Sequence, residues 1–290
     1  MEPEDLVEEN GPSRTALRVA IRRAAHQVLD DPVVFDDPLA LRVLGLGDTS
    51  AQDANQKWLE QTPFSRVLRA SLAARSRCAE DELHASVREG VDQYVVLGAG
   101  LDTFAYRNPY PPEALRVFEV DRPATQLWKR ARLEQAGIRV PQTLTFAPVD
   151  LETQTLEDGL SRAGFDAGRR TFFSWLGVTM YLTGSAIGAT LRFVASMPTG
   201  SRIVFDYMVS PSLVDPSARM SFDGLALHVA QAGEPFQSFF DPSSLNAALR
   251  TMGFAQIEDI GPEEMDARYF RGRADKLRFG RLAHIMKAQV

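Results

Sequence analysis

The chain has 290 residues, of which 44% are hydrophobic and 24% charged, and it carries a formal net charge of −6. That length buries a full core, in one large α/β domain or in one domain with a smaller cap. The acidic balance argues against a nucleic-acid partner, which would need lysine and arginine facing phosphate, and the single cysteine, Cys78, excludes an internal disulfide and suits a reducing compartment.

The opening Met1-Glu2-Pro3-Glu4-Asp5 is acidic and without an apolar core, so no secretory segment is expected. The longest apolar stretch, Phe172 to Leu182, is too short and interrupted to span a bilayer. A cytoplasmic protein without a membrane partner is the expectation. From Ser13 to about Val87 the pattern is helical: Ala16, Val19, Ala20, Ala24 and Val28 recur near helical spacing, Leu39–Leu44 and Phe64–Leu83 continue it, and Asp31-Pro32 and Asp36-Asp37-Pro38 mark turns. Residues 1–87 are therefore expected to form a helical extension, with an α/β domain over 88–290.

From Gln93 onward strands alternate with helices. Strands are expected at Gln93–Leu97, Leu115–Val120, Thr143–Val149, Thr171–Leu176 and Arg202–Met208, with helices at Pro123–Ala136 and Ser185–Met197. Such alternation implies a mainly parallel sheet covered on both faces. Pro211, Pro216, Gly224, Gly233 and Pro235 break the rhythm, so 209–240 is expected to be an excursion. A helix at Ser243–Met252 follows, then short strands at Ala255–Asp259 and Leu282–Lys287, separated by a segment carrying Arg268, Arg271 and Arg273.

The strongest signal is Val95-Val96-Leu97-Gly98-Ala99-Gly100-Leu101-Asp102-Thr103, followed by Val117-Phe118-Glu119-Val120-Asp121. An apolar strand runs into a Gly-x-Gly turn, and an acid closes the next strand 21 positions after Gly100. This is half of a nucleotide-binding unit, in which glycines let the backbone close on a ligand and the acid accepts both ribose hydroxyls. The third glycine of the dinucleotide fingerprint is missing, and Thr103 stands in its place.

Five segments in order, Ala74-Arg75-Ser76-Arg77, Leu97 to Thr103, Glu119-Val120-Asp121, Val149-Asp150-Leu151 and Trp175 to Leu182, resemble the leucine carboxyl methyltransferase family of S-adenosylmethionine-dependent enzymes, in its bacterial small-molecule branch. Phe35-Asp36-Asp37-Pro38 and Gly233-Glu234-Pro235-Phe236 extend the resemblance, which runs from about Ser13 to the C-terminus. It implies a class I methyltransferase fold, Rossmann-like, with a seven-stranded mixed sheet whose last strand is antiparallel and an N-terminal helical lid.

The resemblance implies a cofactor site as well. Gly98, Ala99 and Gly100 would pass under the methionine part of S-adenosylmethionine, and Arg75 would bind its carboxylate, a bidentate task suited to guanidinium. Arg77 is the alternative if the register differs by two. Asp102 would face the ammonium group or cap the following helix, and Asp121 would hold the ribose or act as an N-cap. Asp150 and the Leu151 amide would meet the adenine, or Asp150 would cap a helix. Trp175 belongs to the cofactor-side segment, and Gly177, Val178 and Tyr181 would wall the site. Many family members carry an acid where this chain has Leu176.

Methyl transfer to a carboxylate or hydroxyl of a small molecule, in secondary metabolism, is the implied activity, with no metal. A carboxylate needs no base; a hydroxyl would, and His228 and Tyr181 are the candidates. His228, Tyr181 and Phe236 are the candidate acceptor-side residues, whereas His26, His84 and His284 have the look of structural groups. Arg14, Arg18 and Arg22 share one helical stripe. Two rival readings remain open: a nicotinamide-dependent oxidoreductase, which lacks its third glycine and gives Arg75 no role, and a cofactor-binding homologue without catalysis. The acceptor's identity and the oligomeric state are not legible, because fold and cofactor site leave the other half of the pocket open.

Overall fold

A computed structural model describes residues 13–46, 62–214, 216–231 and 233–290. The described residues form a seven-stranded sheet in the order β3-β2-β1-β4-β5-β7-β6. Its strands are β1 (Gln93–Leu97), β2 (Arg116–Asp121), β3 (Leu144–Pro148), β4 (Thr171–Trp175), β5 (Arg202–Met208), β6 (Gln256–Ile260) and β7 (Ala283–Gln289). The first five pair in parallel, and β7 runs antiparallel to both β5 and β6. This is the seven-stranded mixed sheet expected of a class I methyltransferase. Chain order reverses between β1 and β4, and open α/β sheets bind ligands outside the carboxyl ends of the strands at such a point.

β1 and β4 are buried along their whole length on both faces, which explains why they read as continuous apolar runs. On one face Tyr94, Val96, Phe172 and Val204 pack against Ala70, Ala73, Ala74, Cys78 and Leu83 of α2 (Pro63–Arg88). On the other, Val95, Leu97, Phe173, Trp175 and Phe205 meet Ile187 and Leu191 of α5 (Gly184–Ala195) and Leu245 and Leu249 of α7 (Pro242–Met252). Small residues on α2 let its backbone lie close to the sheet, so this part of the N-terminal region belongs to the core. α1 (Arg14–Leu29) instead packs Leu17 and Ala20 against Leu101, Leu133 and Ile138, above the turn that follows β1.

Two elements differ from expectation. The 209–240 stretch contains a 16-residue helix, α6 (Pro216–Gln231), preceded by a short 3-10 turn at Pro211–Leu213. Pro211 and Pro216 open helical turns rather than break them, because a first-turn residue needs no amide donor. α4 (Leu156–Arg162) is the helix of the β3–β4 connection, whose bounds were not placed, and α8 (Pro262–Tyr269) is a further helix where none was expected. At seven and eight residues they are too short for an apolar period to stand out; Thr155, whose side chain accepts from the Asp158 amide, caps α4. α3 (Pro123–Gln135) matches its expected start.

A buried polar group joins α1 to α2. Arg69 donates to both oxygens of Asp30, at 2.7 and 2.8 Å. His26 Nδ1 lies 2.7 Å from Asp30 Oδ2, while its Nε2 accepts from the Val34 and Phe35 amides. His26 is therefore the structural histidine that was expected. Arg69 and His26 hold the Asp30 carboxyl down at about 2 against the cost of burial, which is the largest single influence and opposes them. Because this carboxyl ionises more readily in the folded chain, its stabilisation is complete above its unfolded pKa, near 4, and is lost as pH falls toward 2. Asp30→Ala should destabilise the protein by about 3–5 kcal/mol at pH 7, since it strands a buried cation. In urea unfolding the gap between wild type and variant should narrow between pH 4 and pH 2; a gap independent of pH would contradict the assignment.

Candidate active site

The carboxyl ends of β1, β2 and β4, with α1 above them, enclose a cavity of about 350 Å3. Gly98, Ala99, Gly100 and Asp102 from the first turn line it, as do Asp121 at the end of β2 and Asp150 and Leu151 beyond β3. Leu176, Gly177, Val178 and Tyr181 beyond β4 and Arg75 from α2 complete the wall. Residues far apart in sequence are thus brought together as the five ordered motifs implied.

The glycines are required by packing. Gly98 and Gly100 both hold positive φ, 66° and 44°. A Cβ on Gly98 would overlap Val178, and one on Gly100 would come within 3.1 Å of Ala16 on α1. The turn after β1 is therefore pressed between the turn after β4 and the first helix, at positions only glycine fills without strain.

Asp121 organises this turn from the neighbouring strand. Its Oδ2 accepts from the Gly100 amide at 2.6 Å, and its Oδ1 accepts from the Arg122 amide at 2.7 Å. The α3 N-cap is Arg122, with no side-chain cap bond, so the N-cap alternative for Asp121 does not hold. Each oxygen keeps a lone pair for a further bond, and Asp121 lines the cavity. Burial pushes the carboxyl above its ordinary value, with the two amides pulling it back.

Asp102 and Asp150 both make local turns. Asp102 Oδ1 accepts from the Phe104 amide at 2.8 Å, and Asp150 Oδ1 accepts from the Glu152 amide at 3.0 Å. Asp102 also faces Arg23, 3.6 Å away. Both acids therefore hold local turns and line the cavity, and neither is a helix N-cap, since those positions are Thr103 and Thr155.

Arg75 is mostly buried and pairs with Asp206 of β5: Nη1 donates to Asp206 Oδ2 at 2.7 Å. The other oxygen, Oδ1, accepts from the Gly177 amide at 2.5 Å. A Cβ on Gly177 would fall 2.5 Å from Arg75 Nη2. Arginine, acid and glycine therefore form one unit. Arg77, by contrast, pairs with Asp81 at the surface. Asp206 was not among the expected residues, although a lone acid in Arg202-Ile203-Val204-Phe205-Asp206-Tyr207-Met208 is a signal, since a buried carboxylate must find a cation or donors. It also brings a carboxylate to the turn where Leu176 does not supply one; Leu176 itself packs against the α2 face of the core.

Trp175 is not brought to the cavity. Strand residues alternate between faces, and Trp175 points away from Ser174 and Leu176, fully buried beside Phe205 in the opposite core. Phe236 does not line this cavity either; it stacks on Tyr181 with ring centroids 5.4 Å apart and faces a second cavity. The side chain of His228 lies outside the described residues. Burial pushes the Tyr181 hydroxyl up to about 12, so at neutral pH it is a hydrogen-bond donor and not a base.

Thr103 explains the absent third glycine. Its hydroxyl donates to Asp37 at 2.8 Å and accepts from Arg23 at 2.9 Å and Arg107 at 3.1 Å. Arg23 also pairs with Asp37. The position that a dinucleotide enzyme leaves bare for a pyrophosphate is here the anchor for the N-terminal segment, which rules against the nicotinamide reading. Above the cavity, the Glu234 carboxylate accepts from the Thr15 amide at 2.8 Å and faces Arg122 at 3.5 Å. Gln237 donates to the Tyr181 carbonyl at 2.6 Å. The Gly233-Glu234-Pro235-Phe236 piece thus ties α1 to the turn after β4.

The cavity fits S-adenosylmethionine by its donor set. An acid with spare lone pairs closes β2, a buried arginine faces the opposite end, and about 350 Å3 lies within the range of small-ligand pockets. Among the described residues no group of three or more metal-ligating side chains is present, and no helix is long and apolar enough to cross a membrane.

Comparison with known proteins agrees. The leucine carboxyl methyltransferase profile matches residues 16–195. YktD of Bacillus subtilis (strain 168), named as an S-adenosyl-L-methionine-dependent methyltransferase, is 32% identical over 97% of this chain and 98% of its own. A similarly named protein of Mycobacterium ulcerans (strain Agy99) is 34% identical over 59% of this chain and 57% of its own. In fold, the chain is similar to a crystal structure of a duf574 family protein from Streptomyces avermitilis, with TM-score 0.58 and 14% identity over 96% of this chain and 97% of that one. A methyltransferase structure from Thermobifida fusca gives TM-score 0.54 and 14% identity over 97% and 96%. The chain belongs to the leucine carboxyl methyltransferase family and is an S-adenosylmethionine-dependent methyltransferase.

Proposed function

We propose that the chain methylates a carboxylate oxygen of a small-molecule acceptor, within secondary metabolism. The observation that carries this reading is a shared wall. Arg75, Gly177, Tyr181, Thr15 and Val19 line both the 350 Å3 cavity and a second cavity of about 620 Å3, so a cofactor in the first and an acceptor in the second would meet there. Among the described residues of that wall, no group is placed to take a proton. Tyr181 stays protonated, and the one acid of the second cavity, Asp206, already holds Arg75 and the Gly177 amide. A carboxylate acceptor is ionised at neutral pH and needs no base.

S-adenosylmethionine would supply an activated methyl group, already carried on a sulfonium. The protein's part is positioning, which can contribute up to about 7–11 kcal/mol. Asp121 would hold the ribose hydroxyls, Asp150 and the Leu151 amide the adenine, Asp102 the ammonium and Arg75 the carboxylate. α1, latched by Glu234 at the Thr15 amide, would exclude water as a lid.

Three measurements test this reading. Asp121→Ala should weaken S-adenosylmethionine binding at least tenfold by calorimetry, because charge-assisted bonds to hydroxyls are the stronger ones; a folded variant of unchanged affinity would remove Asp121 from the site. Gly177→Ala should lower cofactor affinity about as much as Arg75→Ala, because the added methyl displaces the guanidinium, whereas Arg77→Ala should leave affinity unaltered. An effect of Arg77→Ala larger than that of Arg75→Ala would shift the register by two. For a carboxylate acceptor, kcat/KM should be flat from about pH 6 to 9, since the acceptor is ionised throughout. A limb rising through neutral pH would instead show a base and a hydroxyl acceptor.

A further inference from the structure

The second cavity lies between α1, α2, α6 and the 278–283 segment leading into β7. Leu68, Leu72, Met208, Leu225, Val229 and Phe236 give it largely apolar walls. Among the described residues five arginines also line it, Arg18, Arg22, Arg75, Arg278 and Arg281, against one acid, Asp206; Arg18 and Arg22 have partners of their own. That acid is engaged by Arg75 and the Gly177 amide. Arg278 and Arg281, at exposed positions, therefore set the sign of fixed charge at the chamber's rim, and low-dielectric walls focus such a field onto an entering anion. Hydroxyl groups on the wall are few, and Ser71 is already used, donating to the Val67 carbonyl and accepting from the Gly280 amide. An acceptor with an extended apolar body gains more from these walls than a polyol of the same length.

We propose that this cavity is the acceptor chamber and that it takes an organic acid with an extended apolar body, its carboxylate at the Arg75–Tyr181 threshold. The assignment rests on the methyl-transfer reading above for what happens at that threshold. The acceptor carboxylate oxygen supplies the electron pair of the new oxygen–methyl bond, the sulfur–methyl bond breaks with its pair kept by sulfur, and no proton moves. Size places the chamber among pockets that enclose most of a small ligand.

Calorimetry on the full chain loaded with S-adenosylhomocysteine tests the chamber, with hexanoate, decanoate, decylamine and gluconate as probes. Decanoate should bind more tightly than hexanoate by about fourfold per added methylene, and both decylamine and gluconate should bind at least tenfold more weakly than decanoate. Leu68→Trp, at a half-buried position lining this chamber and not the other, should abolish the chain-length gain with cofactor affinity unchanged. Arg278→Ala with Arg281→Ala, at exposed positions, should weaken decanoate severalfold and leave decylamine unaffected. Binding independent of chain length, decylamine equal to decanoate, or an inert Leu68→Trp would each overturn the proposal. Mass spectrometry for the methyl ester, with S-adenosylmethionine present, separates the two readings. Decanoate that binds in the expected pattern yet is never esterified would refute transfer to carboxylate while the chamber stands, and ester formed without the chain-length pattern would refute the chamber alone.

Discussion

The site depends on one buried ion pair. Arg75 comes from α2 and Asp206 from β5, and the pair is completed by the Gly177 amide from the turn after β4. A buried arginine and carboxylate are each costly to desolvate, and such a pair is tolerable only when further donors and acceptors are satisfied. The Gly177 amide supplies that satisfaction on the acid. The guanidinium needs the space where a Cβ at 177 would lie. One constraint thus fixes three features that look unrelated in sequence: an arginine beside the small residues of α2 that face the sheet, an acid in an apolar strand, and a glycine at positive φ.

The same pair ties fold to function. α2 must pack tightly on β4 and β5 for Arg75 to reach Asp206, which is why Ala70, Ala73 and Ala74 belong to the core. The pair then stands on the wall common to both cavities. A second polar cluster, Arg23, Asp37, Thr103 and Arg107, performs the matching task for α1, fixing it over the glycine turn. Glu234 closes the far end of α1 through the Thr15 amide, where a helix N-terminus favours an anion. Polar contacts at three places thus fix the N-terminal helices in register, in addition to the apolar packing of α2 on the sheet and of α1 on Leu101, Leu133 and Ile138.

How much of this was legible follows from the range of each signal. β1 and β5 were placed to the residue, because an apolar run bounded by a turn is a local property. Asp121 was legible because strand, glycine turn and acid all lie within the short span from β1 to the end of β2. α6 was hidden by Pro216 and Gly224, which resemble breaks when the helix start is unknown. Trp175 was misplaced by one residue of pleat: proximity to the turn after β4 suggested the cavity, while alternation sends the indole to the opposite core. Asp206 escaped because its partner is 131 positions away in sequence, and only the packing of α2 on β5 brings the two together. Thr103 was visible as a departure from the dinucleotide pattern, but its role needed Asp37 and Arg23 from a segment with no strand signal.

The account's central claim is that two cavities meet at Arg75, Gly177 and Tyr181, with the cofactor on one side of that wall. A crystal structure with S-adenosylhomocysteine bound tests it most directly. The account predicts ribose hydroxyls on Asp121, the amino-acid carboxylate at Arg75, and the sulfur at the Gly177–Tyr181 wall facing the larger cavity. A ligand seated in the larger cavity, or one whose sulfur faces away from that wall, would contradict it.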